Sequence, residues 1–427
     1  MSTVRESAYI AKRDSFKMAA LSEDLRNKVL RAIGNALTDK KTDIVAANQK
    51  DLAAGKESGL EAPLMKRLKF DEQKIDEVVK GINDLIGLAD PLGKELLKRE
   101  LDRDLILNKI TCPIGVIGVI FESRPDALVQ IASLCLKSGN CAVLKGGSEA
   151  SFTNRILFDI IHEAGVMAGM PSGFLTLLES RSDIDELLKC DDAIDLIIPR
   201  GSNAFVKYIM DNSDIAVMGH ADGICHVYAD KDAHIPKAVP IIRDSKAQYV
   251  AVCNATETIL VHEEIAEELM PALEKALVSA GVTIKGDDAT RKLIDAQIAT
   301  DQDFKTEYLD YIVSIKIVKD IDEAIDHINT YGSHHTDCII TENQEACKKF
   351  MMHVDSAGVY NNCSTRFADG FRYGFGAEVG VSTGKLHARG PVGLDGLVTY
   401  KYELFGNGHI VEDYAQGKKE FHFKNLR

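Results

Sequence analysis

GVIGVIFESRPDALVQIASLCLKSGNCAVLKGG, residues 115 to 147, carries the pattern from which the architecture of the chain follows. Gly115 to Phe121 is a short apolar run rich in β-branched residues, Ala127 to Lys137 is helical in pattern, and Cys141 to Leu144 is a second apolar run. Runs this short, apolar without alternation, predict strands buried on both faces. Two such strands joined through a helix lie parallel, and parallel sheets carry helices on both sides.

The same texture continues outward from this unit. LILNKIT lies upstream, and FLTLL, IDLIIP, ICHVYA, YVAVC, TILVH, IVSIKIV, DCIIT and GVYNN follow downstream, with helical stretches such as Ser151 to Ala164 between them. The chain is therefore expected to be α/β, with ligands gathered at the carboxyl ends of its strands. The N-terminal part is helical instead: Leu25, Val29, Leu30, Ile33 and Leu37 share one face behind a Ser22 cap, and Lys41 to Ala54 and Asp71 to Leu88 repeat the pattern. The charged segment Lys94 to Asp104, ahead of Leu105 to Thr111, is expected to form a hairpin arm that leaves the globule.

Composition narrows the function. The chain has 427 residues, and 51 Lys and Arg against 65 Asp and Glu give a net charge of -14. Nucleic acid is an unsuitable partner for such a surface, because phosphate binding depends on clustered cations. A hydrophobic content of 45% supplies large cores and excludes disorder. The longest uncharged stretches, such as Ala127 to Leu136, fall far short of the ~18 residues of a membrane span. The opening MSTVRESAYIAKRD lacks the apolar core of a signal peptide, which points to the cytoplasm. Nine cysteines, an odd number without Cys-x-x-Cys spacing, read as reduced thiols. His334, His335 and Cys338 in GSHHTDC are the nearest approach to a metal cluster. Adjacent side chains of a strand point to opposite faces, so a structural role is favoured and no metal is expected.

Several segments carry possible chemistry. In CAVLKGGSEA a strand runs through Lys145, Gly146, Gly147 and Ser148 into a helix, a turn that offers backbone N–H groups and a lysine to an anion. IDLIIPRGSN repeats the device at Gly201 and Ser202, and the pair suits a nucleotide better than either turn alone. Among the thiols, Cys135, Cys141 and Cys338 read as core. Cys253, where YVAV meets Asn254-Ala255-Thr256-Glu257, and Cys363, in YNNCSTRFADG, both stand beside polar residues and remain rival nucleophiles. Arg372, Lys385, His387 and Arg389 in the glycine-dense segment after Asp369, with Arg366 and Arg124, are candidates for the basic patch that an anionic substrate needs against the acidic background.

Taken together, GVIGVIFESRPD, LKGGSEA, IPRGSN, DSKAQYVAVCNATETILVH, HINTYGSHHTD and VDSAGVYNNCSTRFADGFRYGFGAEVGVSTGKLHARGPVGL resemble the aldehyde dehydrogenase superfamily and, within it, the gamma-glutamyl phosphate reductase branch, over essentially the whole chain. The resemblance implies a Rossmann-type cofactor domain over residues 1–232 and 364–390 with the arm inserted at about 94–111. A smaller α/β catalytic domain over 233–363 and an oligomerisation strand and tail over 391–427 complete it. It matches Cys253 to the catalytic cysteine, which resolves the rivalry with Cys363. It gives Lys145, with Gly146 and Ser148, to the adenosine ribose of the cofactor, Gly201 and Ser202 to the pyrophosphate, and Glu307 to the nicotinamide ribose. NADPH is the implied cofactor.

Hydrolytic members carry a water-activating glutamate where this chain has Val217-Met218-Gly219-His220. Its loss fits a reductase in which the cysteine attacks an acyl phosphate, phosphate leaves and hydride reduces the thioester. The implied reaction converts L-glutamyl 5-phosphate to L-glutamate 5-semialdehyde, the second step of proline biosynthesis from glutamate. Oxyanion donors are expected from the backbone N–H groups of Cys253 and Asn254. Ser123, Arg124, Arg366, Lys385, His387 and Arg389 are expected to meet the substrate. Cys363 replaces a small residue and is expected to be an oxidation-sensitive bystander near the site. A homo-oligomer is implied, and the acyl phosphate is expected from a separate glutamate kinase, a possible functional partner.

Overall fold

The computed structural model describes residues 4–180 and 182–427. Helices come first, as their patterns predict. Glu23–Asp39 is capped by Ser22, whose hydroxyl accepts from the Leu25 N–H at 3.3 Å, and Val29, Leu30, Ile33 and Leu37 are buried. Glu72–Ile86 is capped in the same way by Asp71.

The deciding unit forms as read. Val116–Phe121 and Cys141–Gly146 are parallel, wholly buried strands, and Pro125–Lys137 is the helix between them. Their sheet has four strands in the order Leu175–Leu178, Cys141–Gly146, Val116–Phe121, Leu196–Arg200. Chain order reverses across Val116–Phe121, so a crevice opens at the carboxyl ends, where Phe121, Gly146 and Arg200 stand side by side.

A second, seven-stranded parallel sheet runs Gln297–Ile298, Thr283–Gly286, Ile312–Val318, Thr256–His262, Cys225–Ala229, Thr336–Ile340, Gly358–Asn361. Cys225–Ala229 is an interior strand of it, between Thr256–His262 and Thr336–Ile340. The break between sheets therefore falls between Met218, which packs in the first core, and Cys225, rather than at residue 232. The returning segment is also shared: Val379 and Ala388 pack in the first core, whereas Thr365 bonds to Ser245 and Asn254 of the second unit.

Glu95–Asp102 and Leu105–Pro113 form the expected hairpin arm. Val398–Phe405 pairs along the length of Leu105–Pro113, and Lys424–Asn425 adds to the other edge, which gives a four-stranded antiparallel sheet. Among the described residues no helix is long and apolar enough to cross a membrane.

Candidate active site

YVAVC is not a strand. Residues 248–255 form bends and a turn between the helix Ile235–Ala247 and the strand Thr256–His262. Cys253 thus precedes a strand of the second sheet instead of ending one. The same holds for His335, just ahead of Thr336–Ile340, and for His220 and Gly223, just ahead of Cys225–Ala229. The amino edge of the second sheet therefore meets the carboxyl edge of the first. Asn203, which follows the strand end Arg200, donates to Glu307, which precedes Ile312–Val318.

At this junction the half-buried Cys253 Sγ lies 3.1 Å from Nε2 of the fully buried His335. His335 Nδ1 is 3.0 Å from the Thr336 hydroxyl and 3.7 Å from the Cys225 Sγ. The Cys225 thiol in turn donates to the Cys253 carbonyl at 3.2 Å. His220 meets His335 edge to face with ring centroids 4.9 Å apart, and its Nδ1 donates to the Val381 carbonyl at 2.8 Å. A buried imidazole against a half-buried thiol is a thiol with a proton acceptor in place. Strand alternation missed His335 because His334 is not extended: at φ 60° it turns outward and bonds the Asp355 carbonyl, leaving His335 to point inward. His220 stood in the sequence only as the replacement for an absent glutamate.

Charge is concentrated around the thiol. Arg200, Arg366 and Cys253 are close enough to interact electrostatically, and burial lowers both guanidinium values, with Arg124 adding repulsion at Arg200 and Arg372 at Arg366. Arg366 donates from Nε to Gln248 at 3.0 Å, and Arg372 donates to the Arg366 carbonyl. Two carboxyls face this group. Burial pushes Glu307 and Glu378 up, while His220 opposes that rise at both. Glu307 also accepts from the Gly223 backbone. Arg200 and Glu378 carry no signal in the sequence beyond being charged residues beside buried strands.

A second cleft, about 210 Å³, lies at the carboxyl edge of the first sheet between Phe121, Lys145, Gly147, Ser148, Glu149 and Phe205. Lys145 is buried and its Nζ donates to the Gly146 carbonyl at 2.5 Å. A Cβ on Gly146 would stand 2.2 Å from the Asn154 amide, so the close packing against Asn154 requires glycine there. The Ser202 N–H donates to Glu122 at 3.1 Å where Gly201 opens the helix Asn203–Asn212.

Other expected contacts are spent elsewhere. Ser123, at φ 45°, donates from its N–H and its hydroxyl to Glu149, which lines the second cleft. Lys385 and Arg389 both pair with Asp355, at 2.6 and 3.1 Å, and His387 Nε2 donates to the Val398 carbonyl. These contacts tie the glycine-dense segment to Asp355 and Val398. The Asn254 side chain donates to the Ala368 carbonyl at 2.8 Å. Cys363 is half-buried; its carbonyl accepts from Cys338, and its thiol is raised by burial.

The sequence profile of the aldehyde dehydrogenase family matches residues 2–302. Gamma-glutamyl phosphate reductase of Acetivibrio thermocellus is 60% identical over 419 residues, covering 98% of this chain and 97% of that protein. Gamma-glutamyl phosphate reductase 1 of Synechocystis sp. is 51% identical over 422 residues, covering 99% and 98%. The crystal structure of gamma-glutamyl phosphate reductase from Thermotoga maritima superposes with a TM-score of 0.94 at 38% identity, covering 95% of this chain and 99% of that one. An acetylating aldehyde dehydrogenase from Geobacillus thermoglucosidasius, at 19% identity and a TM-score of 0.64, shares the fold. With a half-buried thiol set between two parallel sheets and this likeness along its whole length, the chain belongs to the aldehyde dehydrogenase family, in its gamma-glutamyl phosphate reductase branch.

Proposed function

We propose that this chain reduces L-glutamyl 5-phosphate to L-glutamate 5-semialdehyde with NADPH, releasing phosphate through a thioester on Cys253. The observation that carries the reading is the Cys253 thiol 3.1 Å from His335 Nε2, with Arg200 and Arg366 beside it. The branch to which the chain belongs supports the choice of substrate.

In this mechanism His335 Nε2 takes the thiol proton, with Nδ1 held by Thr336, while the sulfur attacks the acyl carbon. Backbone N–H groups at Cys253 and Asn254 steady the oxyanion, and the bond to the phosphate oxygen breaks. Arg366 and Arg200 hold the departing phosphate, since guanidinium geometry matches its paired oxygens. A nicotinamide cofactor bound here would supply hydride to the thioester carbon, and the Cys253 sulfur would then leave as the thiolate and free the aldehyde. With Val217-Met218-Gly219-His220 in place of a water-activating glutamate, the thioester persists until it is reduced.

The second cleft fits an adenosine ribose phosphate. Gly146 and Gly147 present backbone without side chains on its wall, and Lys145 and Ser148 supply polar atoms. Glu122, Glu149 and Glu179 share this cleft with Lys145, whose ammonium would meet a 2′-phosphate there. Glu307, anchored by Asn203 and Gly223, is assigned to the nicotinamide ribose. In the same reading the Val398–Phe405 arm serves a homo-oligomer, and a glutamate kinase supplies the acyl phosphate.

The test is oxidation of glutamate semialdehyde with NADP⁺ with and without inorganic phosphate. Turnover should require phosphate and vanish in Cys253→Ala, which should still bind cofactor. Phosphate-independent oxidation would mark a hydrolytic enzyme and overturn the proposal.

A further inference from the structure

His220, Cys253 and His335 converge more closely than acyl transfer requires. One ligand-type atom from each, two imidazole nitrogens and the thiol sulfur, lie within 4.8 Å of one another. Tetrahedral zinc with Zn–N and Zn–S bonds of about 2.0–2.3 Å sets its ligands roughly 3.3–3.8 Å apart, so small side-chain rotations close the set.

We propose that these three residues form a reversible Zn²⁺ site, in which the bound ion caps the Cys253 sulfur and leaves a fourth position to water. Two imidazoles and a thiolate are a donor set that zinc prefers over oxygen-seeking cations. The outer contacts suit it as well. His220 Nδ1–H is committed to the Val381 carbonyl, and His335 Nδ1 lies against Thr336 and Cys225, so each ring offers Nε2. Such second partners fix the tautomer and aim of metal-ligating histidines. Glu307 and Glu378 face His220 and attract a dication, whereas Arg200 and Arg366 oppose it. Cys253 and His220 are partly exposed, which gives the ion an entry path, and His335 closes the site from within. On binding, the thiol releases one proton and the Zn–S bond forms; no oxidant or reductant is involved. The consequence is a protein whose nucleophile is withdrawn by zinc and returned by chelation.

The site does not depend on the reaction assigned above, and Co²⁺ alone reads it without turnover. Titrated into the full chain, a single equivalent of Co²⁺ should give a thiolate-to-cobalt charge-transfer band in the near ultraviolet and intense visible bands of tetrahedral geometry. The charge-transfer band should be lost in Cys253→Ser. His220→Ala and His335→Ala should each weaken cobalt binding by at least about 10-fold. In the unmodified protein, Zn²⁺ should slow alkylation of Cys253 by iodoacetamide, and EDTA should restore it. A charge-transfer band that survives in Cys253→Ser, an affinity unmoved in both histidine variants, or alkylation indifferent to Zn²⁺ would each overturn the proposal. The alkylation arm uses the native chain, so a misfolded variant does not shield the idea. Should cobalt bind while phosphate-dependent turnover fails, the site stands and the assigned reaction falls.

Discussion

Gly223 lies against Cys253 with no room for a side chain: a Cβ there would stand 2.2 Å from the Cys253 carbonyl oxygen and 2.6 Å from its Cβ. The obstructing atoms are largely backbone, so the turn itself must move. Gly223 also bonds Glu307, and one glycine therefore sets both the nucleophile and the carboxylate assigned to the cofactor ribose. Gly223→Ala should lower kcat by about 100-fold, the scale of a displacement near 1 Å at a reacting group. Steady-state kinetics on the purified variant check this, and an unchanged kcat would show that the turn can give.

His335 is positioned to accept the thiol proton. Replacement by Asn keeps a polar side chain but removes proton transfer, and turnover should fall by roughly 10²–10⁴-fold. Iodoacetamide should also react more slowly with Cys253 at neutral pH in the folded variant, and equally fast in both proteins once unfolded. Equal rates in the folded state would strip His335 of this role.

Arg366 is held through Nε by Gln248, which leaves the other guanidinium nitrogens for an anion. Arg366→Ala removes hydrogen bonds to a charged ligand, each about 1.5–3 kcal/mol or roughly 10- to 150-fold in affinity. KM for phosphate in semialdehyde oxidation should rise accordingly, while binding of NADP⁺ followed by fluorescence should change little. Arg366→Lys should recover only part of the loss, because an ammonium cannot make the planar fork. If phosphate KM is untouched, the anion site lies elsewhere.

Lys246 and Glu257 form an ion pair at 2.6 Å with both side chains fully buried, beneath the loop that carries Glu307. Burial lowers the first group and raises the second, while their mutual attraction opposes both shifts. Lys246→Met leaves a buried carboxyl without its partner and should cost about 3–5 kcal/mol, whereas Lys246→Met with Glu257→Leu should cost much less. Urea unfolding of the two variants separates these outcomes; equal losses would point to packing rather than charge.

His327 is buried, neither ring nitrogen has a hydrogen-bond partner among the described residues, and burial holds its value down at about 3 against an ordinary 6.5. The native state therefore requires the neutral ring. Its contribution is complete above pH 6.5 and is lost progressively as pH falls toward 3. The ring packs against Tyr331, Phe304 and His226 in an aromatic group that Phe can join. His327→Phe should be progressively more stable than the parent as pH drops through that range, measured by unfolding at a series of pH values. Parallel curves for the two proteins would refute it.

The α/β class, the arm and the order of most strands were legible because they rest on local properties. Unbroken apolar runs such as Val116–Phe121 are buried on both faces wherever they sit, and Ser22 caps its helix through atoms three residues away. YVAVC misled for the same reason. Apolar residues fill a turn as readily as a strand when the surrounding core supplies the burial, and Val250 is buried without pairing in a sheet.

Cys253 and Lys145 could be named from sequence because each stands in a segment that resembles the family's own. The company they keep could not. His220, Arg200, Glu378 and His335 come from four separate segments, and adjacency between the carboxyl edge of one sheet and the amino edge of another is a property of packing. Nor could sequence tell which basic residues of the glycine-dense segment serve the site. Lys385 and Arg389 are claimed by Asp355, 30 or more positions earlier in the chain, while Arg366 stays beside the thiol. Hydrophobic pattern and local motif sufficed for most of the elements and singled out Cys253 as the candidate nucleophile. The surroundings of that thiol emerge only on folding, because charge and proton transfer depend on distance in space, which spacing along the chain does not fix.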